Sequence, residues 1–400
     1  MKKGEVLKYD VLVVGAGPAG STAARFASKN GARTLVIEKR QEIGSPVRCG
    51  EATTLSWLEE VEIEDHDRWC VTTVKGARIF FPGAKMLELV GKFDTTGVGI
   101  VIERDILDKD LAKLAIGEGA EYMLKTSAVS LIKEDGKVCG VMARSMGKEI
   151  EIRADIVIGA DGFESQVGRW GGIYKSLPPE DIISCFQYRM AGLDIDLDFT
   201  YLYLGEFAPG GFVWVFPKKD NQANVGLGIK LSLIEENKTP KDYLDEFIAS
   251  KEEFKKGMAI DMVAGGVEVG PPPSNVTADG LMLVGDASRV VNPITGGGVA
   301  NGVRQGKIAG EVAAQCVREG RFDHDYLKEH YEARWRDLLE NEIWRNYMIK
   351  EKLNSISGKA FAKLMETLSK VDLKESNLAV LLEAIQKENP EIMEELQSMF

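Results

Sequence analysis

Apolar positions open the chain as a buried strand: Val11-Leu12-Val13-Val14 runs without a polar break and stops at a glycine-rich turn. Uninterrupted runs of this kind suit a parallel strand covered on both faces. A helix is expected over 18–29, stopped by Asn30-Gly31, and a second strand over 34–37 closes at Glu38. Residues 104–118 read as a helix with Ile106, Leu107, Leu111, Leu114 and Ala115 on one side. Strands are expected near 128–133, 138–144 and 149–152, and 156–162 returns to a buried strand and a turn. Between about 177 and 269 the period changes to two, with strands at 183–190, 199–204, 211–216 and 224–231 around a helix at 239–249. Pro271-Pro272-Pro273 marks a stiff crossing back, followed by a strand at 280–285 and a helix at 302–318. Beyond Gly320 the chain is charged and helical, with Tyr331, Trp335, Leu338, Leu339, Trp344, Tyr347 and Met348 at helical spacing.

Charge and composition narrow the partners. Against 50 Lys and Arg stand 62 Asp and Glu, a net charge of −12 that disfavours nucleic acid. The five cysteines are scattered without a C-x-x-C pair, and the three histidines lack metal-ligand spacing, so no metal is expected and a reducing compartment fits. No run approaches a membrane span and no secretory leader precedes the first strand, so a cytoplasmic protein is expected. Gly, at 42 residues, exceeds the usual share and marks places where backbone turns sharply or approaches a ligand.

The first of those places carries chemistry. Gly15-Ala16-Gly17-Pro18-Ala19-Gly20 follows a strand and opens a helix: the first Gly makes the turn, the second admits a pyrophosphate, the third allows close helix packing. The free N–H groups of that helix start favour phosphate, and Glu38 is placed to accept from ribose hydroxyls. Two later runs, Gly159-Ala160-Asp161-Gly162 and Gly285-Asp286-Ala287, each set a carboxylate at the C-terminal edge of a strand, where ligands bind in such sheets. Pro293 and Gly296-Gly297-Gly298-Val299 then form a second glycine-rich helix entry.

This order of motifs resembles the p-hydroxybenzoate-hydroxylase-like flavoproteins. The resemblance implies FAD as cofactor, with Asp161 near it, Gly285 and Asp286 at the ribityl chain, and Pro293, Gly297, Gly298 and Val299 aimed at the ring. It extends to Arg104 on a cofactor-contacting helix, Ala128 on an adenine-side strand, and Lys39 beside Glu38. Two further stretches resemble the geranylgeranyl reductases, closest to the archaeal enzymes that act on digeranylgeranylglycerophospholipids. They are Phe212-Val213-Trp214-Val215-Phe216-Pro217 followed by Gly226-Leu227-Gly228, and Arg48-Cys49-Gly50-Glu51-Ala52, where Cys49, Gly50 and Ala52 would also meet the flavin. The expected fold is α/β (α+β overall): a Rossmann-like FAD-binding domain from 1–65, 97–175 and 275–320, an antiparallel-sheet substrate domain from 66–96 and 176–274, and a C-terminal helical region over 321–400.

The chemistry implied is demanding. An isolated prenyl double bond has no carbonyl to polarise it, so proton addition must accompany hydride delivery. That needs a dry pocket, an acid near the flavin, and π faces that tolerate positive charge. Cys49 is the candidate acid or a flavin-edge contact; an ordinary thiol, with a pKa of about 8.5, is mostly protonated at neutral pH. Alternation places Phe212, Trp214 and Phe216 on one strand face, either as an aromatic core face or, as the family implies, as substrate-binding walls together with Pro217. With a single GxGxxG, the electrons come from an external donor, NAD(P)H or a small redox protein. A prenylated glycerophospholipid substrate implies peripheral membrane contact, expected through Trp335, Trp344 and Tyr347 of the tail. Two other readings stay open: an FAD monooxygenase of the same fold, and a non-catalytic lipid-binding protein that retains flavin.

Overall fold

The computed structural model describes residues 6–64, 66–82, 86–90, 99–174 and 176–355, together with 363, 367 and 387. The parts of the expected substrate domain at 83–85 and 91–96, and most of the helical region after 355, lie outside the described residues.

The continuous apolar runs become the centre of a mixed sheet. Val6–Val14 pairs in parallel with Thr34–Ile37 on one side and with Lys148–Gly159 on the other. Leu281–Leu283 extends the parallel order beyond Gly159, and Glu121–Met123 extends it beyond Ile37. Val11, Leu12, Val13, Val36, Ile156, Val157 and Ile158 are buried here, as strands covered on both faces require. Two helices, Pro18–Lys29 and Val299–Glu319, lie against the sheet. They meet through small residues: a Cβ at Gly306 would sit 2.4 Å from the Ala19 carbonyl oxygen, and one at Gly310 2.3 Å from that of Ala23. This close approach brings the N-terminal ends of both helices together at one sheet edge.

The expected break between strands at 149–152 and 156–162 does not occur. Lys148–Gly159 is one strand: its first half pairs antiparallel with Lys137–Ser145, while Val6–Val14 pairs along Glu151 to Gly159. Two different partners overlap, so the backbone has no reason to leave the sheet. The helix expected from 302 begins earlier, at Val299, directly after Gly298.

The period-two region forms a seven-stranded sheet ordered Met258–Glu268, Ile182–Ala191, Gln222–Lys230, Phe212–Lys218, Phe199–Tyr203, Gly76–Phe80, Leu87–Val90. The edge strand Met258–Glu268 was not anticipated; its first residues are exposed on both faces and lack the alternation that marks a half-buried strand. One face of the sheet buries Val213, Val215, Val225, Leu227 and Ile229 against Tyr243, Leu244 and Phe247 of the helix Pro240–Ser250. The other face carries Phe212, Trp214, Phe216 and Lys218 in register with Gly228, Gly226, Asn224 and Gln222. A three-stranded sheet of Ala52–Thr54, Gly99–Ile102 and Cys70–Thr73 packs between, over stacked Trp57 and Trp69.

The tail docks on the main core. Tyr331, Trp335, Leu339 and Ile343 are buried there at a spacing of four, across two π-helical segments, Lys328–Glu332 and Arg336–Glu340. Trp335 is therefore no membrane contact: it is fully buried. Trp344 and Met348 point outward instead, and Tyr347 contacts Trp344.

Candidate active site

Two glycine-capped helix starts form the floor of the site. Gly17 caps Pro18–Lys29 and Gly298 caps Val299–Glu319, and neither end has a side-chain cap, so first-turn N–H groups remain for a ligand. The glycines of the first turn differ in what constrains them. Gly15 holds φ +110° and a Cβ there would lie 2.3 Å from the Ala160 oxygen; a Cβ on Gly20 would lie 2.0 Å from the Gly15 oxygen. A Cβ on Gly17 would meet no atom within 4 Å, so the protein alone does not demand glycine there. Open space at that position, ringed by N–H groups, fits a bound pyrophosphate.

The carboxylates sit as their motifs imply, at the strand ends. Glu38 accepts from the N–H groups of Ala16 at 3.0 Å and Arg40 at 2.9 Å, tying the first turn to the second strand. Asp161 Oδ2 accepts from the N–H of Val167 at 2.9 Å, while Oδ1 is buried with no hydrogen-bond partner among the described residues. Burial pushes the Asp161 carboxyl up, with the Val167 N–H opposing. Burial also pushes the Asp286 carboxyl up, partly offset by the Arg104 guanidinium. A Cβ on Gly298 would lie 2.6 Å from Asp286 Oδ1, so this carboxylate closes on the second helix entry. The orphaned Asp161 oxygen and the uncapped helix starts fit a large polar cofactor of the flavin-dinucleotide type.

Beyond the second strand, Lys39 lines a hollow of about 350 Å³ with Lys125, Ser127, Val129, Arg144, Met146 and Gly147. Ala128 lies on the strand Thr126–Glu134 opposite Ala143, half-buried against the main core. Pro293 is buried, and Asn292 organises the following turn by accepting from Gly296 and donating to Gly297 through backbone bonds of 2.9 Å. Ala52 opens the strand Ala52–Thr54 and is exposed.

Arg104 sits where the loops converge. Its guanidinium pairs with Asp108 in two bonds, 2.9 and 3.1 Å, and lies beside the Cys49 sulfur. Burial works against the Arg104 charge, but Asp108 and Cys49 hold it firmly protonated, above the ordinary arginine value. The Cys49 thiol is pushed up, chiefly by burial, with Arg104 pulling the other way. Burial thus favours the neutral thiol at Cys49, with a guanidinium beside its sulfur.

The aromatic face of the seven-stranded sheet ends beside the turn that carries this thiol. Phe212, Trp214 and Phe216 form a row with successive ring centroids 6.0 and 6.1 Å apart. A Cβ on Gly50 would lie 2.9 Å from the Phe216 ring and 3.5 Å from Trp214 Nε1, so the row ends against the Cys49-Gly50 turn. Pro217 follows in the same strand, opposite Ala223.

Several residues here escaped the sequence reading. Lys218 is fully buried and donates to the Ile102 carbonyl at 3.0 Å, Glu103 at 2.8 Å and Glu51 at 2.7 Å. Arg189 clamps Glu103 with bonds of 3.0 and 2.8 Å. Asn224 donates to the Gly50 carbonyl at 3.1 Å and to Glu51 at 2.6 Å. The signal was present: Lys218 and Asn224 occupy the same alternation parity as Trp214 and Gly226, on a face that also carries Phe212, Phe216 and Gly228. The glycine stripe Gly302, Gly306, Gly310, at a spacing of four, also foretold a close helix contact.

Known proteins resemble this chain in sequence and fold. Residues 181–267 match the profile of the geranylgeranyl reductase catalytic domain, and 10–175 that of FAD dependent oxidoreductases. The digeranylgeranylglycerophospholipid reductase of Picrophilus torridus is 44% identical over 396 residues, covering 98% of this chain and 99% of that one. The protein of the same name from Methanosarcina acetivorans is 43% identical, covering 98% of this chain and 96% of its own. A crystal structure from Thermoplasma acidophilum, described as geranylgeranyl bacteriochlorophyll reductase-like, superposes with a TM-score of 0.91 at 43% identity, covering 99% of this chain and 100% of that one. The FAD-dependent chondrochloren halogenase shares the fold at 16% identity and a TM-score of 0.73. With that identity sustained over nearly the whole chain, this protein belongs to the geranylgeranyl reductase family of FAD-dependent oxidoreductases.

Proposed function

We propose that this chain saturates the isolated double bonds of geranylgeranyl chains in digeranylgeranylglycerophospholipids, the precursors of archaeal membrane lipids. The observation that carries the reading is the meeting of the Cys49-Gly50 turn with Trp214 and Phe216, beside Arg104. The turn that carries this thiol meets the end of an aromatic row, where the loops at Gly50 and Arg104 join the antiparallel sheet.

FAD would lie along the floor already described. The turn of Gly15, Ala16, Gly17, Ala19 and Gly20 would cradle its pyrophosphate, with Glu38, Lys39 and Ala128 on the adenosine side. Arg104, Asp161, Gly285 and Asp286 would line the middle of the cofactor, and Pro293, Gly297, Gly298 and Val299 its ring. Cys49, Gly50 and Ala52 would border the ring from the other side. When bound and reduced, this cofactor supplies a hydride.

The chain's own residues supply the rest. Cys49 gives its S–H proton to one alkene carbon as hydride reaches the other, so two C–H bonds form and the C=C π bond is lost. The thiolate left behind is held by Arg104 and regains a proton from water. Phe212, Trp214 and Phe216 wall the chain from solvent and present π faces to the carbon that becomes electron-poor. An external donor, NAD(P)H or a small redox protein, restores the electrons. No described helix is long and apolar enough to cross a membrane, so lipid access is by peripheral contact, through Trp344, Tyr347 and Met348.

Mass spectrometry of a geranylgeranyl lipid after incubation with reduced protein tests the reading. A gain of two hydrogens per double bond supports it. A gain of oxygen indicates a monooxygenase, an unchanged lipid indicates a binding protein, and either result overturns it.

A further inference from the structure

The aromatic row contains a polar contact that a simple hydrophobic wall does not need. Trp214 Nε1 donates to Gln187 Oε1 at 2.7 Å, and both side chains are buried. An indole N–H can only donate, so the amide must turn its oxygen to it, which leaves Nε2 to donate elsewhere. It donates to the Cys49 carbonyl at 3.1 Å.

This relay crosses a whole strand. Gln187 stands opposite Gly226 on one side of Gln222–Lys230, and Trp214 stands opposite Gly226 on the other. Adjacent strands lie about 4.8 Å apart, so the indole must reach over the middle strand to touch Gln187. It does so across Gly226. A Cβ there would lie 2.6 Å from Trp214 Cζ2, 2.7 Å from Cε2 and 2.8 Å from the Gln187 Cβ. The glycine of the Gly226-Leu227-Gly228 motif is empty because the tryptophan of the other motif occupies its space.

The turn so gripped is unusual. Glu51 adopts φ +73°, in the left-handed region that a non-glycine residue enters only when its surroundings hold it there. In the same turn the Glu51 N–H donates to the Cys49 sulfur, 3.2 Å away. The grip consists of Gln187 on the Cys49 carbonyl, Asn224 on the Gly50 carbonyl, and Lys218, Asn224 and the Arg104 N–H on the Glu51 carboxylate.

We propose that Trp214 is a positioning residue for Cys49: its indole N–H orients Gln187, and Gln187 holds the Cys49 turn so that the sulfur stays under the Glu51 N–H. The inference rests on Cys49 as proton donor. A donated N–H stabilises the thiolate left after proton transfer, so losing the grip makes the thiol a weaker acid.

The test uses FAD-loaded protein with W214F, which keeps an aromatic face but lacks the N–H, Q187L, and the double variant. Thiolate ultraviolet absorbance is titrated as the difference between each protein and the same protein carrying C49S. We expect W214F and Q187L each to cut the thiolate fraction at a given pH by about threefold, and single-turnover flavin reoxidation by prenyl lipid by about tenfold. The double variant should match Q187L alone, because both changes break one relay. G226A, which displaces the indole without removing its N–H, should give the same titration shift if W214F fails to fold. An unchanged Cys49 titration in the variants, or effects that multiply in the double variant, overturns the proposal. Near-normal reoxidation in C49A would instead refute the thiol as donor, a result independent of the titration.

Discussion

Replacing Gly17 by valine separates what the fold needs from what the cofactor needs. Gly17 has φ −74° and ψ −178°, extended backbone open to any residue, and its Cβ would meet nothing within 4 Å. The cost to the apoprotein is that of a poorer helix cap, about 1 kcal/mol. Gly15 is the internal contrast. At φ +110°, with a Cβ 2.3 Å from the Ala160 oxygen, its replacement by valine strains the backbone and pushes apart two strands, at least about 2–3 kcal/mol. Flavin exposes a second cost of the valine at 17. At a ligand concentration of about a hundred times Kd, binding stabilises the native state by about 2.7 kcal/mol. If the valine at 17 overlaps the pyrophosphate and weakens binding about a hundredfold, that gain falls to about 0.4 kcal/mol. The assay is urea unfolding of both variants with and without added FAD, alongside flavin content by absorbance. When apo, G17V should unfold within about 1 kcal/mol of wild type, and it should fail to respond to FAD. Full flavin occupancy in G17V, or an apoprotein as damaged as G15V, would refute the assignment of this turn to the pyrophosphate.

The remaining expectations are briefer. C49A should keep FAD and accept electrons from a chemical reductant, yet lose at least about a hundredfold in anaerobic single-turnover reduction of prenyl lipid. Glu268 is buried, which pushes its carboxyl up to about 8 against the opposing charge of Arg289. The folded state therefore holds this proton while the unfolded chain releases it near pH 4.5, and stability falls as pH rises through that window by about 1.4 kcal/mol per unit. E268Q should thus gain on wild type by a few kcal/mol between pH 5 and pH 8 in urea titrations, and a pH-independent difference would contradict this. W344S with M348S should lower co-sedimentation with vesicles holding the prenyl lipid by about fivefold and leave activity on detergent-dispersed lipid intact. Unaltered sedimentation would remove the tail from the membrane contact.

Periodicity and glycine spacing alone determined the nucleotide-binding half of this protein. An unbroken apolar run suits a strand covered on both sides, and Gly15-x-Gly17-x-x-Gly20 directly after it suits a turn into a helix start. Alternation likewise separated Phe212, Trp214 and Phe216 from Val213 and Val215, and the structure buries the valines under a helix while the aromatic row ends against Gly50. Pairing between distant segments lay beyond the sequence. Nothing local says that Lys148–Gly159 stays one strand; that follows from partners on both sides. Trp335 and Trp344 look alike along the chain, and only docking of the tail buries one and exposes the other. Lys218, Gln187 and Asn224 were ordinary polar residues until strand register set them against Glu51 and the Cys49 turn. Their contacts join residues more than a hundred positions apart, and a buried charge or amide reveals its partner only once the chain has closed around it.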